Sequence, residues 1–353
     1  MITPGFVNAH THLYSGLVPL GMPPLDPPPR SFLDRLDRLW WRLDRALDAP
    51  LLRASARYHL AHALLAGTTA VIDHHESPYF IEGSLDVIAD ACEELGVRAL
   101  LCYGATERNG GRDEAVRGLA ECARFMRSNQ RPLVRGLIGL HASFTVSDET
   151  LRDAARLGWS LGAVVHVHVA EDRADVEDAW ARGHAGPLER LLGLEALSRG
   201  SILAHGVHLS AEQVKLADET GLWLVQNPRS NRNNGVGYPE ALGESRHVAL
   251  GTDGFPSSMG DERDALRALA REHGEDPGVA DLRLAAGNTL LIARFDEAID
   301  DRVERDAEGR VRAVVVGGRT VVEDGALCCA DLVEIEAEAR AAAQVLWSRM
   351  RSL

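Results

Sequence analysis

The feature that most constrains this chain is a series of short apolar, β-branched runs, each ending on a polar or small residue and most followed by an amphipathic segment. Eight such runs end near His12, His74, Gly104, His141, His168, His205, Asn227 and Asp253, and helical patterns fill residues 85–95, 114–127 and 149–161 between them. Strands joined by helical crossovers lie parallel, and eight of them close a barrel, so the expected fold is α/β, a (β/α)8 TIM-type barrel. Enzymes of this architecture build their active sites at the C-terminal strand ends, where the polar residues of this chain fall.

Those strand ends carry metal chemistry. His10 and His12 stand at i and i+2, so on a strand both imidazoles project from one face. His168 follows in His-Val-His-Val-Ala-Glu, then His205 in Leu-Ala-His-Gly and Asp253 in Gly-Thr-Asp-Gly. Three imidazoles and a carboxylate around one divalent cation leave a position for water and acidify it. The expected ligands are His10, His12, His168 and Asp253, holding one divalent ion per chain, zinc first and iron(II) as the alternative. Glu171, just past its strand, is expected to relay a proton as general base and then acid. His205 either completes the metal sphere or holds the attacking water from outside it, and the second role is preferred.

His141 is expected to contact substrate. His74 and His75 point to opposite faces, so only one enters the barrel mouth, and His74 is assigned to substrate. His166 shares the parity of His168 but lies deeper. His59, His62, His184, His208, His247 and His273 fall on helices or loops and are expected to be structural or solvated. Ser31 is a plausible N-cap for a helix over 32–47, whose apolar stripe comprises Leu33, Leu36, Leu39, Trp40, Leu43 and Leu47. Trp41 falls off that stripe and is expected to border the pocket. Asn227, Ser230 and Asn231 read as a hydrogen-bonded loop at the mouth.

Other classes are excluded by composition. Lys215 is the only lysine and falls mid-helix, so a binuclear centre bridged by a carboxylated lysine has no candidate. The Pro-Cys-x-x-Cys pattern of zinc nucleobase deaminases is missing. Five cysteines without paired spacing give no disulfide framework. A net charge of -14 without a basic stripe argues against nucleic acid or anionic membrane as partner. Without a leader or a membrane-length apolar run, the expected location is cytoplasmic.

After Asp253 the pattern is helical to about 293. A strand pair comes next at 311–316 and 319–323, turning at Gly317-Gly318, and a helix over 331–350 closes the chain. Two strands are not stable alone and need partners. The expected division is a barrel over 1–298, a remnant of a small β-sandwich over 299–327, and a C-terminal helix over 328–353 packing on the barrel.

Taken together, Pro4-Gly5-Phe6-Val7-Asn8-Ala9-His10-Thr11-His12, His168-x-x-Glu171, His205 and Gly251-Thr252-Asp253-Gly254 resemble the amidohydrolase superfamily, in its cytosine deaminase and chlorohydrolase-like branch. The stretches 39–47, 73–78, 83–89 and 233–239 are similar to SsnA-type aminohydrolases, and the resemblance spans nearly the whole chain. It implies a mononuclear zinc or iron centre that hydrolyses carbon–nitrogen bonds other than peptide bonds in purine- or pyrimidine-like rings. It maps His10, His12, His168 and Asp253 to ligands, Glu171 to the proton shuttle and His205 to the water. Two departures stand out: relatives carry sandwich strands before the Pro-Gly-Phe-Val motif, and the stretch between Arg294 and Arg312 is short. A truncated or degenerate sandwich is therefore expected. The competing readings are cyclic-amide opening, removal of chloride from a similar ring, or a catalytically silent accessory protein. The expected partner is a small heterocycle, with a homodimer compatible with barrels of this type.

Overall fold

The computed structural model describes residues 1–295 and 299–353, so the expected boundary at 298 lies outside the described residues. In chain order the strands are β1 (Ile2–Pro4), β2 (Phe6–Thr11), β3 (Thr68–His75), β4 (Arg98–Ala105), β5 (Val134–Gly136), β6 (Ile138–Ala142), β7 (Val165–Val169), β8 (Ile202–His205), β9 (Trp223–Gln226), β10 (Val248–Leu250), β11 (Arg302–Arg305), β12 (Val311–Val316), β13 (Arg319–Glu323) and β14 (Ala326–Leu327). β2, β3, β4, β6, β7, β8, β9 and β10 pair in parallel in that order, with the short β5 alongside β4. One bridge, Thr11 to Asp253, brings the last strand back to the first and closes the (β/α)8 barrel.

The strands are buried on both faces, as parallel strands between a filled interior and an outer ring of helices must be. Every residue of β3, β4 and β7 is buried. The helices expected from periodicity form at Ser84–Leu95, Arg112–Ser128 and Asp148–Leu161. Local signals set their ends: the Ser147 hydroxyl accepts from the Thr150 N–H, and Gly96 and Gly162 adopt the left-handed conformation that terminates a helix. No helix among the described residues is long and apolar enough to cross a membrane.

One expectation needs correction. The helix expected over 32–47 is not continuous: Phe32–Arg35 and Trp41–Arg45 flank a π-helical turn at Leu36–Trp40. A π turn takes more residues than an α turn and shifts the phase of the residues after it. Leu33, placed on the apolar stripe by a uniform period, is 40% exposed, whereas Trp40 and Trp41 both reach the barrel mouth. The strand pair at 311–323, expected to need partners, finds them at both ends of the chain. Its partners are β1, β11 and β14, giving a five-stranded antiparallel sheet in the order β1-β11-β12-β13-β14. Ile2, Thr3 and Pro4 pair with Glu304, Val303 and Arg302. Residues 2–4 are too few to register as a strand by alternation. The C-terminal helix, Leu332–Ser352, packs its Ile335, Ala339, Leu346 and Trp347 into the same core as the barrel helices.

The barrel seam is stitched by side chains as well. Buried Asn8 donates through Nδ2 to Thr252 Oγ1 and Ser257 Oγ, each at 2.7 Å, and its Oδ1 accepts from the Thr252 N–H at 3.0 Å. Asn8→Ala removes an amide that bonds two buried hydroxyls and shares the Thr252 N–H with the His10 carbonyl, so a loss of about 2–3 kcal/mol is expected, measured as a lower urea midpoint at unchanged slope.

Candidate metal centre

The strand ends bring together five of the residues singled out by sequence. Ligand atoms of His10, His168, His205 and Asp253 lie within 4.8 Å of one another. His12 joins them through Nε2, 2.8 Å from Asp253 Oδ1 and 3.3 Å from His168 Nε2. His10 Nε2 lies 3.6 Å from the same carboxylate oxygen. Asp253 and His205 hold positive φ of 53° and 76°, uncommon outside glycine, so each strand turns sharply where its site side chain leaves it.

Hydrogen bonds on the far side of each ring decide which nitrogen faces the cluster. His12 Nδ1 meets the His74 carbonyl at 2.6 Å and His168 Nδ1 meets the His141 carbonyl at 2.5 Å. A carbonyl only accepts, so both Nδ1 atoms carry the proton and both Nε2 atoms present lone pairs inward. His205 Nδ1 lies 2.8 Å from Asn231 Oδ1, which selects the same tautomer. His10 Nδ1 shares a proton with His166 Nε2 at 2.9 Å, so His166 supports the cluster from beneath. The Nε2 atoms of His10 and His205 are buried without a hydrogen-bond partner. Inward lone pairs 3.3 Å apart, with a carboxylate oxygen 2.8 Å from one of them, repel unless a positive charge sits among them. The donor set therefore fits a divalent cation with nitrogen and oxygen ligands.

The titration behaviour agrees. Burial lowers His10 to about 3 and holds His168 well below the ordinary imidazole range, so both rings are neutral and free to offer a lone pair. At His12 burial also disfavours charge, but Glu76 and Asp253 outweigh it and raise the group to about 10. Positive charge is thus favoured at this point of the mouth: it is a proton on His12 Nε2, and a metal cation bound there displaces that proton and frees the lone pair. Asp253, despite burial, is held well below the usual carboxylate range by the neighbouring His10 and His12. Ser230 Oγ donates to its second oxygen.

Glu171 lines the cavity above the cluster, with Oε2 3.6 Å from His205 Nε2 and Oε1 accepting from Asn234 Nδ2 at 3.3 Å. Burial, reinforced by the charge of Asp253, pushes its carboxyl up to about 7. His141 and Trp41 both lie on the cavity wall, their rings 6.5 Å apart. His74, expected to touch substrate, is not part of that wall. It is fully buried, Nδ1 is 2.6 Å from Glu76 Oε1, and Nε2 is 3.0 Å from the Leu140 carbonyl. The period-two rule gave the correct face, but the side chain is spent on the backbone of β6. His12, His74 and Glu76 also come within ligand distance of each other, but the carbonyl bonds protonate His12 Nδ1 and His74 Nε2, making this trio a hydrogen-bonded support.

Glu76 was missed, although it shares the parity of His74 in Asp-His-His-Glu and that signal was available. Tyr14, Asp44, Arg108 and Asn234 also line the cavity; Asp44 and Asn234 fall within stretches that carry the family resemblance, but no spacing or parity marks any of the four for the site. Lys215 lies in the helix Ala211–Thr220 and pairs with Glu244 at 3.3 Å.

The profile of the Amidohydrolase family matches residues 1–321. The chain belongs to the amidohydrolase family. Among curated amidohydrolase relatives, a 5'-deoxyadenosine deaminase of Methanopyrus kandleri is 29% identical over 95% of this chain and 84% of its own length. An 8-oxoguanine deaminase of Pseudomonas aeruginosa is 28% identical over 98% of this chain and 87% of its own. Among solved structures, an adenosine deaminase from Xanthomonas campestris with bound zinc superposes with a TM-score of 0.83 at 25% identity, covering 100% of this chain and 86% of that one.

Beside the cavity, Asp175 accepts the Ala170 N–H through Oδ2 at 2.6 Å, and burial pushes its carboxyl up to about 7. A carboxyl raised on folding stabilises fully below its unfolded value, and that contribution is lost as pH rises through the folded value. In Asp175→Asn the fall in unfolding free energy between about pH 4 and pH 7 is expected to be shallower than in the parent, read from urea titrations across that range.

Proposed function

We propose that this amidohydrolase is a metal-dependent aminohydrolase that removes an amino group from a heterocyclic, purine- or pyrimidine-like small molecule. The observation that carries the reading is the inward lone-pair array of His10, His12, His168 and His205 around Asp253, with Glu171 on the wall of the same cavity. His10, His12, His168 and Asp253 would hold the ion, zinc or iron(II). When bound, such an ion acidifies a water to near neutral pH and polarises the carbon under attack. The deaminase names and bound zinc of the related proteins support this reading.

The remaining work falls to side chains of the chain. His205 faces the reaction centre with a protonless Nε2 while Asn231 fixes its ring, an arrangement suited to orienting the attacking water. Glu171 Oε2, the oxygen beside His205, takes the proton that water releases and returns it to the ring amino nitrogen. Asn234 holds the other oxygen and prevents the carboxyl from rotating away. A carboxyl that titrates near neutrality exchanges that proton in both directions without a large penalty. Water and the amino-substituted ring become the oxo ring and ammonia. His141 and Trp41 border the space the ring occupies.

Two measurements test this. Purified protein should retain about one divalent ion per chain and release ammonia from a member of a panel of aminopurines, aminopterins and aminopyrimidines. Glu171→Gln, which preserves shape and the Asn234 contact, is expected to lower kcat by about 100- to 10,000-fold at unchanged metal content. Full turnover by Glu171→Gln, or no ammonia from metal-loaded protein with any ring compound, defeats the reading.

A further inference from the structure

One wall of the cavity carries polar groups that the chemistry above does not use. Trp41, Asp44 and Arg108 all line it, and the Asp44 and Arg108 side chains are 2% and 4% exposed. Arg108 Nη2 donates to Asp44 Oδ2 at 2.8 Å, its Nε donates to Thr106 Oγ1 at 3.1 Å, and its guanidinium lies over the Trp41 ring at 5.0 Å. This wall adjoins the reaction centre through His141, whose ring is 6.5 Å from Trp41 and 5.5 Å from His168.

Each of the three residues leaves one polar atom buried without a partner: Trp41 Nε1, Asp44 Oδ1 and Arg108 Nη1. Buried polar atoms are normally paired, and leaving one unmade is expensive. Three on touching side chains of one cavity wall mark a place where something else supplies the partners. The atoms themselves define the character of the missing partner. Two are N–H donors and one is an oxygen acceptor. The Arg108 charge is already balanced by Asp44 at hydrogen-bond distance, so the wall is neutral as a unit and offers no net attraction to a carboxylate or phosphate. The surfaces around it are aromatic, with Trp40, Phe144 and Phe255 on the same cavity, which suits a flat ring.

We propose that Trp41, Asp44 and Arg108 form the specificity subsite of this enzyme, and that they read the lactam edge of an oxo-substituted heterocycle: the ring carbonyl takes the Trp41 and Arg108 donors, and the adjacent ring N–H gives to Asp44. The inference rests on the aminohydrolase reading and narrows its substrate to amino-oxo heterocycles. A ribose diol has the same capacity to donate and accept, so the test separates the two sources.

Binding is measured calorimetrically on metal-loaded Glu171→Gln protein, which does not consume its ligand, and ammonia release is measured on the parent enzyme with the same compounds. The panel pairs each amino-oxopurine and aminopterin with its derivative methylated on the lactam nitrogen and with its methoxy derivative, and includes adenosine as the diol. Both methylated forms are expected to bind about tenfold or more weakly than the parent lactam, a comparison that needs no change to the wall. Adding Trp41→Phe, which keeps an aromatic ring under Arg108 but deletes the N–H, is expected to weaken lactam binding about tenfold while changing the methoxy compound far less. Equal binding of lactams and their methylated forms overturns the proposal, as does tighter binding of adenosine than of every lactam. If some compound is deaminated without this discrimination, the subsite assignment falls alone. If none releases ammonia, the aminohydrolase reading falls first and takes the subsite with it.

Discussion

The structure depends on the seam where the first and last barrel strands meet. β2 and β10 share no continuous ladder, and backbone pairing at the seam narrows to the Thr11–Asp253 bridge and a few bonds around it. The N–H groups of Thr252 and Asp253 both donate to the His10 carbonyl, at 2.9 and 3.0 Å, and the His12 N–H donates to the Asp253 carbonyl at 3.3 Å. The same few bonds that close the barrel therefore place the carboxylate of Asp253 against the imidazoles of His10 and His12. Such close approach requires a residue without a side chain beside it: a Cβ on Gly251 would lie 2.7 Å from the His10 carbonyl oxygen.

A site assembled from strand ends inherits their strain. Ala170, His205 and Asp253 all adopt positive φ, and each is held by a hydrogen-bonding neighbour. Asp175 accepts the Ala170 N–H, Asn231 fixes the His205 ring, and Ser230 donates to Asp253. These supports turn flexible termini into a rigid array. They also explain why the segment 227–234, architectural by its sequence, matters to the chemistry: it carries three of the side chains that hold His205, Asp253 and Glu171 in place. The cost of gathering so many lone pairs and carboxylates is offset when a cation joins them.

The barrel was legible because its signal repeats. Eight apolar runs ending on polar residues are redundant, so an error in one leaves the fold class intact, and the parity of His10 with His12 survives any small shift in strand boundary. Signals that do not repeat were lost. Residues 2–4 form a strand only because Arg302–Arg305, from the opposite end of the chain, lies beside them. A single period over 32–47 cannot register the π turn at Leu36–Trp40, which presents both tryptophans to the cavity and leaves no mark in an apolar pattern. His74 had the correct parity and still turned away, because parity selects a face of the sheet and not the partner found there.

Taken by itself, the sequence determined the parallel barrel, the end of it at which chemistry gathers, and the residue types that gather there. Local periodicity and side-chain parity are properties of the chain and need no distant partner to be read. Only the tertiary structure decided which nitrogen of each imidazole faces inward, that Glu76 and His74 serve as support, and that Asp44, Arg108 and Trp41 share one wall. Those outcomes depend on hydrogen bonds and ion pairs between residues remote in the chain, such as Asp44 with Arg108, and such pairings exist only once the barrel has closed.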